Sequence, residues 1–410
     1  MTESDRNHAR PASSTHAAAW PLDPDIILLN HGSFGACPRA VLEAQRRYQD
    51  RMERNPIGFF MRELEPLLEE SRAVLAALVG AEAEDLAFVH NVTEAVNGVL
   101  RSLRLEPGDE LLVTDHAYNA CRNVVDHVAR LAGANVVTAA VPLPIDSAEE
   151  IVERVLDAVT DRTRLALLDH IASPTAVVFP MERLVAELDR RGVDTLVDGA
   201  HAPGMIPLDI DRLGAAYYTG NCHKWLCAPK GAGFLHVRRD RQDGLHPAVI
   251  SHGYNSRRPD RPRLHEEFDW TGTDDPSAWL CVADAIRFLD SLIDGGLDAL
   301  MQSNHKLALD GQRILCERLG LEPSCPAELL GSMAAVFLPD EPEGPAHRIH
   351  PLRVHPLQAR LQEQSGIEVP IYNWPAPPRL MLRISAHVYN SPGQYERLAE
   401  VLEKLLRSTG

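Results

Sequence analysis

Asp194-Thr195-Leu196-Val197-Asp198-Gly199-Ala200-His201-Ala202-Pro203-Gly204 reads as a short buried strand that ends on a carboxylate and breaks into a turn. The apolar pair Leu196-Val197 suits a strand covered on both faces, and the Gly and Pro that follow stop it. A second stretch of the same design, Ala215-Ala216-Tyr217-Tyr218, leads into Thr219-Gly220-Asn221-Cys222-His223-Lys224-Trp225. Outward from this pair lie further apolar runs at 86–89, 110–113, 135–138, 165–168 and 233–236. Amphipathic segments such as 148–159 and 181–190 separate them, with apolar residues at helical spacing. Strands alternating with crossover helices predict an α/β fold: a seven-stranded, mostly parallel sheet with helices on both faces.

The pattern changes beyond residue 238. Ser256-Arg257-Arg258-Pro259-Asp260-Arg261-Pro262-Arg263 is a loop, because proline lacks the backbone donor that a helix or strand needs. Past it, helices at 277–293 and 297–319, strands at 334–338, 368–371 and 379–385, and a closing helix at 394–406 predict a smaller α/β domain. The expected division is a disordered leader over 1–25, a large domain over 26–255 whose N-terminal arm packs with the small domain, an interface loop over 256–275, and a small C-terminal domain over 276–410.

Composition narrows the function. A chain of 410 residues with 45% hydrophobic and 24% charged residues is ordinary for a globular protein of two domains. The formal net charge of −17 repels phosphate backbones and anionic lipid surfaces, so neither nucleic acid nor membrane is an expected partner. Seven cysteines lie scattered with no C-x-x-C pair, which reads as reduced thiols and a cytoplasmic location.

Ligands of open parallel sheets sit beyond the carboxyl ends of the strands. Four such ends carry polar runs: Asp198 to Gly204, Thr219 to Trp225, His90-Asn91-Val92-Thr93-Glu94 and Asp169-His170-Ile171-Ala172-Ser173. Pyridoxal 5′-phosphate (PLP) asks for this set. Its aldehyde needs an easily deprotonated lysine, supplied by Lys224. Its pyridine nitrogen needs a buried carboxylate to stay protonated, supplied by Asp198. Its phosphate suits the helix start at Val92 and Thr93, with His223 and Asn221 as further donors. Tyr118 is placed to stack on the ring, and His170 follows a strand at the same edge. Each feature alone has a plainer reading, since His-Lys pairs mostly decorate surfaces and Asp-Gly mostly makes turns. Their coincidence on one sheet edge is what carries weight.

These runs resemble class V aminotransferase-fold PLP enzymes, and most closely the isopenicillin N epimerase group. The resemblance rests on Asn91-Val92-Thr93-Glu94-Ala95-Val96-Asn97, Val197 to Gly204 and His223-Lys224-Trp225-Leu226-Cys227-Ala228-Pro229-Lys230-Gly231. It extends to Leu29-Asn30-His31-Gly32-Ser33-Phe34-Gly35, Gly272-Thr273-Asp274 and Leu382-Arg383-Ile384-Ser385-Ala386. It implies PLP-dependent fold type I and a homodimer with a shared active site. By matched position it implies Lys224 as the Schiff-base lysine, Asp198 at the ring nitrogen and His201 beside the ring hydroxyl. Thr93, Asn221 and His223 would serve the phosphate, with Thr273 contributed by the other subunit. Arg383 would grip the carboxylate of a small amino-acid substrate, and His31 is a further substrate-binding candidate.

The expected chemistry is epimerisation at Cα. A C–S β-lyase is the alternative and an aminotransferase the second. Epimerisation calls for a second acid or base opposite Lys224, with Tyr118, His116 and His31 as candidates. A persulfide-forming desulfurase is disfavoured, because Ile371 to Pro378, just before Arg383, contains no cysteine. No metal is expected: His347, His350 and His355 fit no common ligand spacing.

Overall fold

The computed structural model describes residues 11–341 and 353–407. Seven strands build the large sheet: β1 (Leu86–Val89), β2 (Glu110–Thr114), β3 (Asn135–Ala139), β4 (Thr163–Asp169), β5 (Asp194–Gly199), β6 (Tyr217–Asn221) and β7 (Gly233–Val237). Their order is β1-β7-β6-β5-β4-β2-β3, with only β7 antiparallel to its neighbours. The central strands are buried along nearly their whole length, as a sheet with two covered faces requires.

Ten helices matter to the layout: α1 (Arg39–Arg54), α2 (Leu64–Val79), α3 (Val92–Ser102), α4 (Asn119–Ala132), α5 (Ala148–Asp157), α6 (Met181–Arg190), α7 (Ser277–Asp290), α8 (Gly296–Leu319), α9 (Pro356–Ser365) and α10 (Pro392–Arg407). Helices α3 and α4 bury Val96, Val99, Val125 and Val128 in the core on one face of the sheet. Helices α5 and α6 bury Ile151, Val155, Leu184 and Leu188 in the core on the other. Beyond the sheet, β8 (Met333–Leu338), β9 (Ile371–Asn373) and β10 (Leu380–Ser385) form an antiparallel sheet in the order β9-β10-β8. No helix among the described residues is long and apolar enough to cross a membrane.

The N-terminal segment departs from the expected leader. Residues 1–10 lie outside the described residues, but Thr15–Ala19 is a 3₁₀ turn capped by Ser14, and Trp20 is buried with its indole N–H on the Ala36 carbonyl. The cause is the aromatic cluster of His387, Tyr389 and Phe288, whose rings pack edge-on to Trp20. Further on, Ile27–Leu28 pairs in parallel with Ile367–Glu368, and the Ser385 N–H donates to the Leu29 carbonyl.

Strand β6 runs about three residues further than its apolar stretch predicts. Thr219, Gly220 and Asn221 stay in the sheet because β7 pairs with them through Leu235, Phe234 and Gly233. The Thr219 hydroxyl, otherwise a buried polar orphan, donates to the Phe234 carbonyl.

Candidate active site

Lys224 lies three residues past the end of β6. The chain has four lysines, at 224, 230, 306 and 404, and Lys224 alone is not exposed. Its Nζ stands 3.1 Å from His201 Nε2. Burial lowers its pKa from 10.5 to about 8; Asp198 opposes the shift and Arg383 adds to it. A neutral amine at mild pH is what carbonyl capture requires. The rate of PLP uptake by cofactor-free protein is therefore expected to rise with pH through about 8 and then level, instead of climbing towards 10.5. Stopped-flow absorbance checks it. The sign for stability is the same: between those values the unfolded chain binds the extra proton, so the cofactor-free fold gains stability as pH rises.

The backbone of Lys224 is held from behind. His31 Nε2 lies 3.0 Å from the Lys224 carbonyl and His31 Nδ1 lies 2.8 Å from the Tyr389 hydroxyl. Gly35, at φ +72°, brings the His31 to Gly35 loop so close that a Cβ there would sit 2.0 Å from the His223 carbonyl oxygen. His31 itself is fully buried, with its pKa lowered to about 3 by desolvation. The structure thus places His31 beneath Lys224 with both ring nitrogens engaged, which corrects the expectation of a substrate contact.

Asp198 is buried at the end of β5. Its Oδ1 accepts from the Ala200 N–H at 3.0 Å and its Oδ2 from the Cys121 thiol at 3.2 Å. Burial still pushes its carboxyl up, so a cation such as a protonated pyridine nitrogen would relieve the strain on the charged form. Asp169 stands in register with it on β4, also buried, and accepts from the Tyr118 N–H at 3.3 Å. Burial, then the charge of Asp198, raises Asp169 well above the usual carboxylate range.

Asp169 is the residue that sequence reasoning missed in favour of His170. Strand side chains alternate, so the residue level with Asp198 shares its side and the next one turns away. His170 accordingly meets the Tyr218 hydroxyl at 2.8 Å and lines a separate cleft with Phe179, Pro207 and Leu213. That corrects its expected place beside the cofactor.

The residues expected to serve a phosphate, Val92, Thr93 and Asn221, meet at the start of α3. Asn91 caps the helix by accepting from the Glu94 N–H at 3.0 Å, and Asn221 Oδ1 accepts from the Val92 N–H at 3.1 Å. Thr93 follows in the first turn, where a helix offers unpaired N–H groups and the positive end of its dipole. His223 Nδ1 is committed to the Ala232 carbonyl at 3.0 Å, and burial lowers the ring's pKa to about 4. Thr273 is exposed on a loop whose Asp274 accepts from His90 Nε2 at 2.7 Å, while His90 Nδ1 meets Glu94 at 2.8 Å. The loop is thereby anchored beside α3.

Arg383 completes the centre from β10. It is 1% exposed, yet no carboxylate pairs with it among the described residues. Its Nη1 donates to the carbonyl and hydroxyl of Ser173, its Nη2 to Asn30 Oδ1 and Ser33 Oγ at 3.2 Å, and its Nε has no partner. A buried guanidinium held only by neutral acceptors is a site prepared for an anion.

Tyr118 borders the same space from the N-terminus of α4 and is half-buried, and desolvation raises its hydroxyl's pKa. His116 is fully buried with Nδ1 on the Thr175 hydroxyl and Nε2 on the Val141 carbonyl, which removes it as a second acid or base. His347 and His350 lie outside the described residues; His355 is buried against Glu341 at 3.0 Å.

A family model described as aminotransferase class-V matches residues 27–338. Isopenicillin N epimerase of Amycolatopsis lactamdurans is 39% identical over 95% of the chain and 99% of its own length. A probable chloroplastic L-cysteine desulfhydrase of Arabidopsis thaliana is 35% identical over 94% of the chain and 84% of its own length. Among solved structures, a C-DES variant with glycine covalently linked to its PLP cofactor superposes with a TM-score of 0.79 at 21% identity. It covers 94% of this chain and 98% of that one.

Proposed function

The chain belongs to the class-V aminotransferase family, and on that premise we propose that it is a C–S β-lyase in which Lys224 takes the α-proton of a cysteine-derived substrate. The fold is type I, the cofactor is PLP and the protein is an enzyme acting at Cα or a C–S bond. The residues fit the cofactor: a lysine of lowered pKa, a buried carboxylate short of a cation, and a helix start with Thr93 in its first turn. Bound PLP supplies the electron sink that acidifies the Cα–H of an attached amino acid.

In this reading Arg383 fixes the substrate carboxylate by a bidentate fork, Asp198 keeps the pyridine nitrogen protonated, and Tyr118 covers the ring. Lys224 Nζ accepts the Cα proton, the Cβ–S bond breaks with its electrons leaving on the sulfur as a thiolate, and the proton now on Lys224 passes to that sulfur so that it departs as a thiol. Water then releases pyruvate and ammonia. The observation that carries the choice is the commitment of both nitrogens of His31 and of His116. Elimination needs one base, whereas inversion needs a second group on the opposite face.

Epimerisation keeps one supporting observation. The Tyr118 hydroxyl stays protonated and borders the site, so it can return a proton that Lys224 has not removed. Incubation with L-amino acids in D₂O separates the two readings, pyruvate marking elimination and deuterated D-isomer marking inversion. Tyr118→Phe is expected to leave pyruvate formation within about threefold, since stacking survives. Any inversion should fall about 10²-fold or more, as for loss of an acid–base group. Inversion with no pyruvate in the wild type would overturn the lyase reading. The homodimer in which Thr273 serves the neighbouring subunit, and a cytoplasmic location, belong to the same proposal; sedimentation tests the first.

A further inference from the structure

We infer that the groove between the first two turns of α4 and the end of β9 with Trp374 and Pro375 is the subsite for the substrate's side chain, and that it takes a neutral, amide-bearing arm. The inference rests on the reading of Arg383 as the carboxylate grip and adds the substrate class to it.

The groove holds about 390 Å³ and is lined by Tyr118, Asn119, Arg122, Asn123, Trp374 and Pro375 among others. It begins where the Arg383 site ends. Tyr118 belongs to both, and Pro174 on the groove wall follows Ser173, whose carbonyl and hydroxyl hold Arg383. The Pro174 carbonyl also accepts from the Tyr372 hydroxyl, which fixes that wall to β9. Such a volume falls in the range of about 300–1,000 Å³ typical of ligand pockets. A thiol side chain would leave it almost wholly to water.

The lining states what the arm is. Arg122 has its charge matched, with Nε on Asp126 at 2.9 Å and Nη1 on the Thr138 hydroxyl at 2.9 Å. Asp115 adds a second carboxylate to the wall, so the groove carries one net negative charge and disfavours an anionic arm. Asn119 and Asn123 present carboxamides, each able to donate and to accept, as an amide requires of its partners. Trp374 is 6% exposed and lines the groove next to Pro375. The rings of Tyr118 and Trp374 give a planar group flat surfaces to lie against.

The test uses the PLP-loaded protein and three probes: S-methyl-L-cysteine, S-carboxymethyl-L-cysteine and S-carbamoylmethyl-L-cysteine. Cleavage of the Cα–H bond is read in D₂O as deuterium in recovered substrate plus keto acid formed, so elimination and epimerisation both register. The expected kcat/KM for the carbamoylmethyl probe exceeds that for either other probe by about tenfold, the worth of one or two hydrogen bonds. Asn123→Leu removes an amide and Asn123→Trp fills the groove; both should shrink the preference to below about threefold while leaving the S-methyl probe unchanged. Equal kcat/KM for all three probes, or a preference untouched by both variants, overturns the subsite. Cleavage with none of them overturns the Arg383 and Lys224 reading along with it.

Discussion

Arg383→Ala is expected to lower kcat/KM for an amino-acid substrate by about 10²- to 10³-fold, mainly through KM. The magnitude follows from truncating one partner of a buried, hydrogen-bonded charge pair, which costs about 2–5 kcal/mol, at about 1.4 kcal/mol per tenfold. Arg383 qualifies because it is fully buried, has an orphaned Nε, and rests on the neutral oxygens of Ser173, Asn30 and Ser33. Desolvation lowers its pKa, the mark of a cation short of an anion. Arg383→Lys keeps the charge and loses the planar fork, so it should recover only part of the effect. The decisive comparison is between an amino acid and the amine that lacks its carboxylate. Wild type should discriminate strongly between them and Arg383→Ala hardly at all. A variant that loses thermal stability but keeps full discrimination would make Arg383 a structural brace for β10 and the Ser173 turn.

Lys224→Ala should remove covalent retention of PLP and lower turnover by about 10²- to 10⁴-fold, the span associated with losing a general base. No other lysine is placed to substitute. Lys230 donates to the Gly35 carbonyl, and Lys306 and Lys404 pair with Asp310 and Glu400 on exposed helix faces. Small primary amines added to the variant should restore part of the turnover, with a rate that rises as the amine becomes neutral. A variant that merely distorts the fold would show no such rescue. In the wild type His201 Nε2 neighbours Nζ at 3.1 Å, and burial is the first cause that lowers its pKa.

How far the site was legible in the sequence depends on which interaction fixes each residue. Asp198 and Lys224 could be found because each follows an apolar strand, and strand ends in a parallel sheet converge. The end of β6 is hidden in the sequence because its last residues, Thr219-Gly220-Asn221, are polar; pairing with β7 overrides their composition. Alternation along β4, with Asp169 level with Asp198, already places the acid on the cofactor side. His31 had no local signal at all, since its burial beneath Lys224 depends on Tyr389 and on the close approach of Gly35, more than 180 residues away from Lys224 in sequence at one end and 160 at the other. Trp20 likewise lies in the stretch 1–25 expected to be a disordered leader, and its packing against His387 and Tyr389 explains its order. The role of Arg383 came from resemblance; what the structure adds is its burial without a counter-ion.

The central claim is that Lys224 carries PLP, and borohydride reduction of the loaded protein followed by peptide mapping tests it most directly. The predicted result is a single modified peptide containing Lys224, absent from Lys224→Ala. Modification of Lys230, Lys306 or Lys404 in its place, or no modified peptide after reduction, would contradict it.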